Sequence, residues 1–154
     1  MHIRKCGKKD ARNVGIVHYR CWQETYRGII SDSFLDSMSE ESDENKKEQY
    51  FAQYGKYWYV VEEESTIIGF ISLIEGNNQY AKHEVEAIYL LKEHQKKGYG
   101  KKMFAFIKET FLHEPFYLWC LKNNPTLGFY EHMGGKIIDS KNEFVGEEVC
   151  FLFE

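Results

Sequence analysis

The sequence predicts an α/β (α+β) fold: a mixed, mostly antiparallel central sheet flanked by helices, in a single domain. Three observations carry this. Strand-like runs and runs with helical period interchange along the chain with no repeat and no linker, as in layered mixed folds. Consecutive strand-like runs are joined by short loops, which favours antiparallel pairing. A length of 154 residues, 43% of them hydrophobic, suits one sizeable core.

The elements follow in order. Residues 2–6 alternate polar and apolar and open the sheet. Asp10 is placed to cap a helix in which Val14, Val17, His18, Cys21, Trp22 and Thr25 recur at three- and four-residue steps, reaching about Tyr26 before Gly28. Ser31 or Asp32 caps a short second helix carrying Phe34, Leu35 and Met38. Ser39–Gln49 is acidic and polar throughout and reads as a solvated loop, leading into a helix that ends near Tyr54-Gly55. Three strands are expected at Tyr57–Val61, Ile67–Ile74 and Val85–Leu91, with turns at Glu63–Thr66 and Gly76-Asn77-Asn78. Lys101–Leu112 has helical period, with Met103, Phe104, Ile107, Phe111 and Leu112 on one stripe and Pro115 as its stop. Phe116–Leu121 is a short buried strand. Asn124-Pro125 starts a helix with proline at its first position; Phe129, Tyr130 and Met133 lie along it, and Gly134-Gly135 end it. Ile137-Ile138 and Val149–Phe153 are the last two strands.

Composition narrows the function classes. The net charge of −4 argues against broad nucleic-acid binding, which needs a basic surplus. No apolar run approaches the ~20 residues that span a bilayer, and the polar N-terminus is unlike a signal peptide, so no membrane contact and a cytoplasmic location are expected. Cys6, Cys21, Cys120 and Cys150 are scattered and read as reduced, buried thiols. With six dispersed histidines they offer no metal-ligand spacing, and no metal site is expected.

The segment richest in chemistry is Gln95-Lys96-Lys97-Gly98-Tyr99-Gly100-Lys101, between a strand and a helix. A helix N-terminus presents unpaired N–H groups and a partial positive charge. Glycines let that backbone approach a ligand, so the turn suits a pyrophosphate, with Lys96, Lys97, Lys101 and Lys102 adding charge. A glycine-rich turn with solvated lysines would look the same. The dinucleotide fingerprint fails, because Met103 stands where its third glycine belongs. A P-loop fails for want of the upstream glycine and the hydroxyl residue.

The run Glu86–Gly100 resembles the coenzyme A segment of the GNAT acetyltransferases, whose pattern is Gln/Arg-x-x-Gly-x-Gly/Ala after a strand. Asn124-Pro125-Thr126-Leu127-Gly128-Phe129-Tyr130-Glu131-His132-Met133-Gly134 resembles that family's Asn…Phe-Tyr-Glu-x-x-Gly helix, and Trp22–Gly28 is a weaker third match. With the element order, the likeness spans nearly the whole chain, residues 1–154 as one acetyltransferase domain. Two positions depart from the pattern: Lys92 where many members have proline, and Gly135 in place of the usual aromatic.

The resemblance implies an N-acetyltransferase that takes acetyl-coenzyme A as co-substrate and, as acceptor, a primary amine on a small molecule, amino acid, polyamine or protein N-terminus. Ile88, Tyr89 and Leu90 would pair with the pantetheine arm, and backbone groups of Leu90 would polarise the thioester carbonyl. Gln95 belongs to the family's motif, and the amides of Lys96, Lys97, Gly98, Tyr99, Gly100 and Lys101 would hold the pyrophosphate. Asn124, with Asn123 as competitor for the role, would hydrogen-bond the coenzyme arm; helix capping explains Asn124 equally well. Tyr130 matches the family's thiol-protonating tyrosine and also fits as a core aromatic beside Phe129. Glu86 or Glu84, on the strand face shared with Ile88 and Leu90, could take the amine's proton, unless a neutral amine attacks without a base. Trp22, Tyr26 and Tyr89 would wall the acceptor pocket, or simply pack the core. Dimers are frequent in the family, so a homodimer is compatible with it. The competing function is a non-catalytic acyl-coenzyme A-binding regulatory module, which would keep the Gly98 turn without needing Tyr130.

Overall fold

In the computed structural model, which describes residues 1–39, 49 and 57–154, the strands are β1 (His2–Lys5), β2 (Trp58–Glu63), β3 (Thr66–Glu75), β4 (His83–Leu90), β5 (Phe116–Leu121), β6 (Lys136–Glu143) and β7 (Gly146–Phe153). The helices are α1 (Ala11–Tyr26), α2 (Asp32–Ser37), α3 (Tyr99–Thr110) and α4 (Leu127–His132), with single 3-10 turns at Lys8–Asp10 and Lys92–His94. The seven strands form one sheet in the order β1-β2-β3-β4-β5-β7-β6. The β1–β2, β2–β3, β5–β7 and β6–β7 pairs are antiparallel. β4 and β5 run parallel, paired at His83–Phe116 and Glu84–Tyr117. The expected acidic loop and the helix ending near Tyr54-Gly55 lie, but for Ser39 and Gln49, outside the described residues.

The chain packs as two compact units: residues 1–72 with 87–100, and residues 73–86 with 101–154. In the first, the stripe expected on α1 is buried: Val14, Val17 and Cys21 pack with Cys6, Trp58, Val60, Phe70 and Leu91. Trp58 and Phe70 stack with their planes 1° apart. β2 turns into β3 through Glu64 and Ser65, both with positive φ, as a two-residue hairpin requires.

In the second unit, Met103, Phe104 and Ile107 of α3 are buried, as their spacing predicts. Phe104 meets Phe116, Phe129, Tyr130 and Phe153 at 5.2–6.2 Å between ring centroids. Gly135 replaces the family's usual aromatic for a local reason: a Cβ there would lie 2.8 Å from the Phe153 ring and 3.0 Å from Phe151.

Three local expectations are corrected. Asp10 sits at the N-cap of α1, but its carboxylate turns back, accepting from the Gly7 N–H at 2.7 Å and from Arg4 at 2.8 and 3.0 Å. The guanidinium holds this buried carboxyl below its ordinary value. α3 ends at Thr110, ahead of Pro115: Leu112 and His113 take positive φ, and the His113 N–H closes onto the Lys108 carbonyl. Leu112 is therefore 80% exposed and leaves the core stripe. Pro125 precedes α4 instead of opening it. Thr126 holds the cap position, and Asn124 Oδ1 accepts from the Thr126 N–H at 2.9 Å and its hydroxyl at 2.6 Å. An asparagine side chain turned onto the backbone two residues on makes a turn in its own right, which delays the helix. Elsewhere Ser31 caps α2 by accepting from the Phe34 N–H at 3.3 Å, and all four cysteines are free and buried.

Candidate functional site

The turn between β4 and α3 belongs, up to Gly100, to the first unit. Lys96 (φ 62°) and Gly98 (φ 81°) both take the left-handed conformation just before the first residue of α3. Left-handed residues in such a turn are the backbone pattern of anion-binding concavities. Lys96 adopts it with a side chain at some steric cost, whereas Gly98 is the residue for which it is free. A Cβ on Gly98 would have no described atom within 4 Å, so the backbone faces open space. The first N–H groups of a helix lack intrahelical partners. The turn thus combines helix-start N–H groups with an open approach to its backbone.

Side chains fix this turn in place. The Gln95 amide donates to the Leu90 carbonyl at 2.9 Å, tying the turn to the end of β4. The Glu63 carboxylate lies 3.0 Å from His94 Nδ1 and is also hydrogen-bonded by Tyr99. Burial would raise the Glu63 carboxyl, but the bonds from Tyr99 and His94 prevail and keep it below its ordinary value. Burial and the same carboxylate push the Tyr99 phenol up. The Lys92 N–H donates to Glu24 at 3.2 Å. Nothing in the spacing of Glu63 and His94 announced their pairing, since it depends on the strand register.

Along β4, Ala87 and Tyr89 pack on the core around α1, so Ile88 and Leu90 take the opposite strand face. Trp22 is half-buried and Tyr26 buried, their centroids 4.8 Å apart. Trp22 Nε1 donates to the Tyr89 hydroxyl at 3.0 Å, and His18 meets the Tyr89 ring edge-on at 5.2 Å. These aromatics form one wall that includes Phe34, 6.2 Å from Trp22.

The remaining expected site residues, Glu84, Glu86, Lys101, Asn124 and Tyr130, belong to the second unit. Glu86 is exposed and Glu84 half-buried, flanking the buried Val85 as strand alternation requires. The Tyr117 hydroxyl donates to Glu84 at 2.7 Å and accepts from the Asn77 N–H at 2.8 Å. Burial raises the Glu84 carboxyl; the Tyr117 bond opposes this, and the neighbouring Glu86 charge adds to it. Burial pushes the Tyr117 phenol up to about 12. The sequence marks Tyr117 only as part of a buried strand, because its partner is fixed by a parallel ladder between distant segments. Tyr130 is 8% exposed, with ring centroids of Phe104, Phe129 and Phe151 at 6.1, 5.8 and 5.6 Å.

Among the described residues no three His, Cys, Asp or Glu side chains are grouped to hold a metal ion, and no helix is long and apolar enough to cross a membrane.

Comparison with known proteins agrees with this architecture. An N-acetyltransferase from Staphylococcus aureus Mu50 shares the fold at a TM-score of 0.78, with 14% identity, over 99% of this chain and 100% of its own. The PaiA N-acetyltransferase of Thermoplasma acidophilum, solved in complex with coenzyme A, superposes at a TM-score of 0.73, with 24% identity, over 99% of this chain and 98% of its own. In sequence, the chain is 29% identical over 135 residues to the uncharacterized N-acetyltransferase YuaI of Bacillus subtilis (strain 168), covering 84% of this chain and 76% of that protein. Residues 19–135 match the Acetyltransferase (GNAT) family, and the chain belongs to that family.

Proposed function

We propose that residues 1–154 act as one acetyltransferase domain that moves an acetyl group from acetyl-coenzyme A to a primary amine, by direct attack with both substrates bound. The observation that carries this is the left-handed Gly98 with open space at its Cβ position, at the start of a 12-residue helix. Such a cradle fits a pyrophosphate. The backbone amides of 96–101 would hold it, Ile88, Tyr89 and Leu90 would lie along the pantetheine arm, and Asn124 would bond that arm. Leu90 would contribute its N–H, since its carbonyl is engaged by Gln95.

Bound acetyl-coenzyme A supplies a thioester, so that a C–N bond to the acceptor forms as the C–S bond breaks. The Tyr130 hydroxyl would give its proton to the departing sulfur. The proton leaving the amine nitrogen would pass to a carboxylate on the even-numbered face of β4, Glu86 or Glu84. The raised carboxyl of Glu84 favours that residue, because a base works best with its pKa near the working pH. Trp22 and Tyr26 would wall the acceptor.

The second reading, a non-catalytic acyl-coenzyme A-binding module, is favoured by one observation: Tyr130 is packed among phenylalanines as a core residue would be. A panel of primary amines assayed for coenzyme A release, beside calorimetric titration with coenzyme A, separates the two. Release with at least one amine supports the enzyme; tight binding with no release supports the module; no binding at all rejects both.

A further inference from the structure

The second unit holds an aromatic and acidic cluster that the acetyl-transfer site does not account for. Trp119 of β5 is half-buried. Tyr80, from the β3–β4 loop, meets it edge-on, with centroids 5.8 Å apart and planes at 85°, and also packs on Tyr117 at 5.2 Å. The Tyr80 hydroxyl donates to Asp139 of β6 at 2.6 Å, which fixes its ring and holds the Asp139 carboxyl low. Trp119, Cys150 and Asp139 are successive partners across β5, β7 and β6, and buried Cys150 lies between the other two.

A cation already occupies this place. The Lys141 ammonium lies 4.2 Å from the centre of the Trp119 ring, 3.3 Å from Glu143 and 3.5 Å from Glu148. Its side chain is 42% exposed, so it can swing into solvent. Glu86 and Lys141 both act electrostatically on Glu84, so the carboxylate pair of β4 shares the neighbourhood. An indole face bordered by carboxylates attracts an ammonium whether or not it is tethered to the chain.

We propose that the Trp119 ring and the carboxylates around it form a subsite for an organic cation, the second and non-reacting ammonium of a diamine acceptor, for which Lys141 is the tethered placeholder. The term acceptor rests on the acetyl-transfer reading; the binding of the cation does not. The spacing selects the chain length. Trp119 lies two residues along β5 from Tyr117, the partner of Glu84, or roughly 7 Å. The nitrogens of extended 1,4-diaminobutane are about 6 Å apart on ordinary bond lengths. That length is of the order of the strand rise between the two positions, so a diamine with one nitrogen at the Glu84 carboxylate would carry the other toward the indole. The ammonium of Lys141 would leave as the ligand's enters, so net charge at the ring is conserved.

Calorimetric titration of the full chain with 1,4-diaminobutane and, separately, with butylamine tests this without any acetyl transfer. The diamine should bind roughly 3- to 30-fold tighter than the monoamine, the range of one cation–π contact. Trp119→Leu should remove most of that preference. Lys141→Met, which keeps the stem and deletes the competing charge, should tighten diamine binding. Equal affinities for the two amines in the unaltered chain would overturn the proposal. So would Lys141→Met with unchanged diamine affinity, a measurement that stands even where Trp119→Leu fails to fold. Coenzyme A titrated in a parallel run separates the two ideas: its failure to bind sinks the acetyl-transfer reading and leaves the diamine result to be judged alone.

Discussion

The Gln95 side-chain amide reaches back five residues to the Leu90 carbonyl, at 2.9 Å. One glutamine thereby ties the turn before α3 back to the last residue of β4. Gln95→Ala should leave that carbonyl without its partner and loosen the turn. A lost hydrogen bond of this kind costs about 1 kcal/mol, so coenzyme A affinity should fall roughly fivefold. Calorimetry on the variant checks this, and unaltered affinity would show that the brace does not hold the ligand's cradle.

Gly98 has φ 81° and open space where a Cβ would project. Gly98→Ala should destabilise the fold by about 1 kcal/mol through backbone strain. It should cost coenzyme A binding more than that, because the added methyl occupies the ligand's approach. Thermal unfolding and titration on the same preparation separate the two effects. A loss of stability with no loss of affinity would move the pyrophosphate away from this turn.

Tyr130 is buried among Phe104, Phe129 and Phe151, a setting that Phe tolerates. Tyr130→Phe should therefore fold normally and bind coenzyme A as before. Its turnover should drop by roughly 10²–10⁴-fold, the contribution of a positioned general acid. Steady-state turnover equal to that of the parent chain would leave Tyr130 a packing residue.

The raised Glu84 carboxyl carries a sign for stability. Its proton is held to higher pH in the folded chain than in the unfolded one, where its value is ordinary. Stability from this group is complete below the unfolded value and declines as pH rises through the folded one. Glu84→Gln removes that decline, so its Tm relative to the parent should be more favourable at pH 8 than at pH 4. Melting curves at the two pH values decide it; a relative Tm that is flat or falls with pH would mean that Glu84 is not held protonated by its surroundings.

The element types and their order were legible in the sequence because hydrophobic period and turn chemistry act over a few residues. The buried stripe of α1, the strand Phe116–Leu121, the hairpin at Glu64-Ser65 and the glycine-ended helix carrying Tyr130 are all of this kind. So was the Gly98 turn, since only glycine adopts φ 81° without strain, and the requirement is written into the residue. Local signals misled where two of them competed. Leu112 continues the apolar stripe of α3, yet it takes a left-handed conformation that ends the helix and turns it to solvent. Asp10 could cap α1 in isolation, but Arg4 and the Gly7 N–H claim its carboxylate.

Tertiary structure alone decided the partnerships. Glu84 meets Tyr117 because β4 and β5 run parallel in that register, and Lys141 lies over Trp119 because β6 folds back beside β7 and β7 pairs with β5. Strand register couples residues tens of positions apart, and a one-residue slip would send each side chain to the other face. Spacing along the chain cannot encode such a choice; the joint burial of both cores selects it.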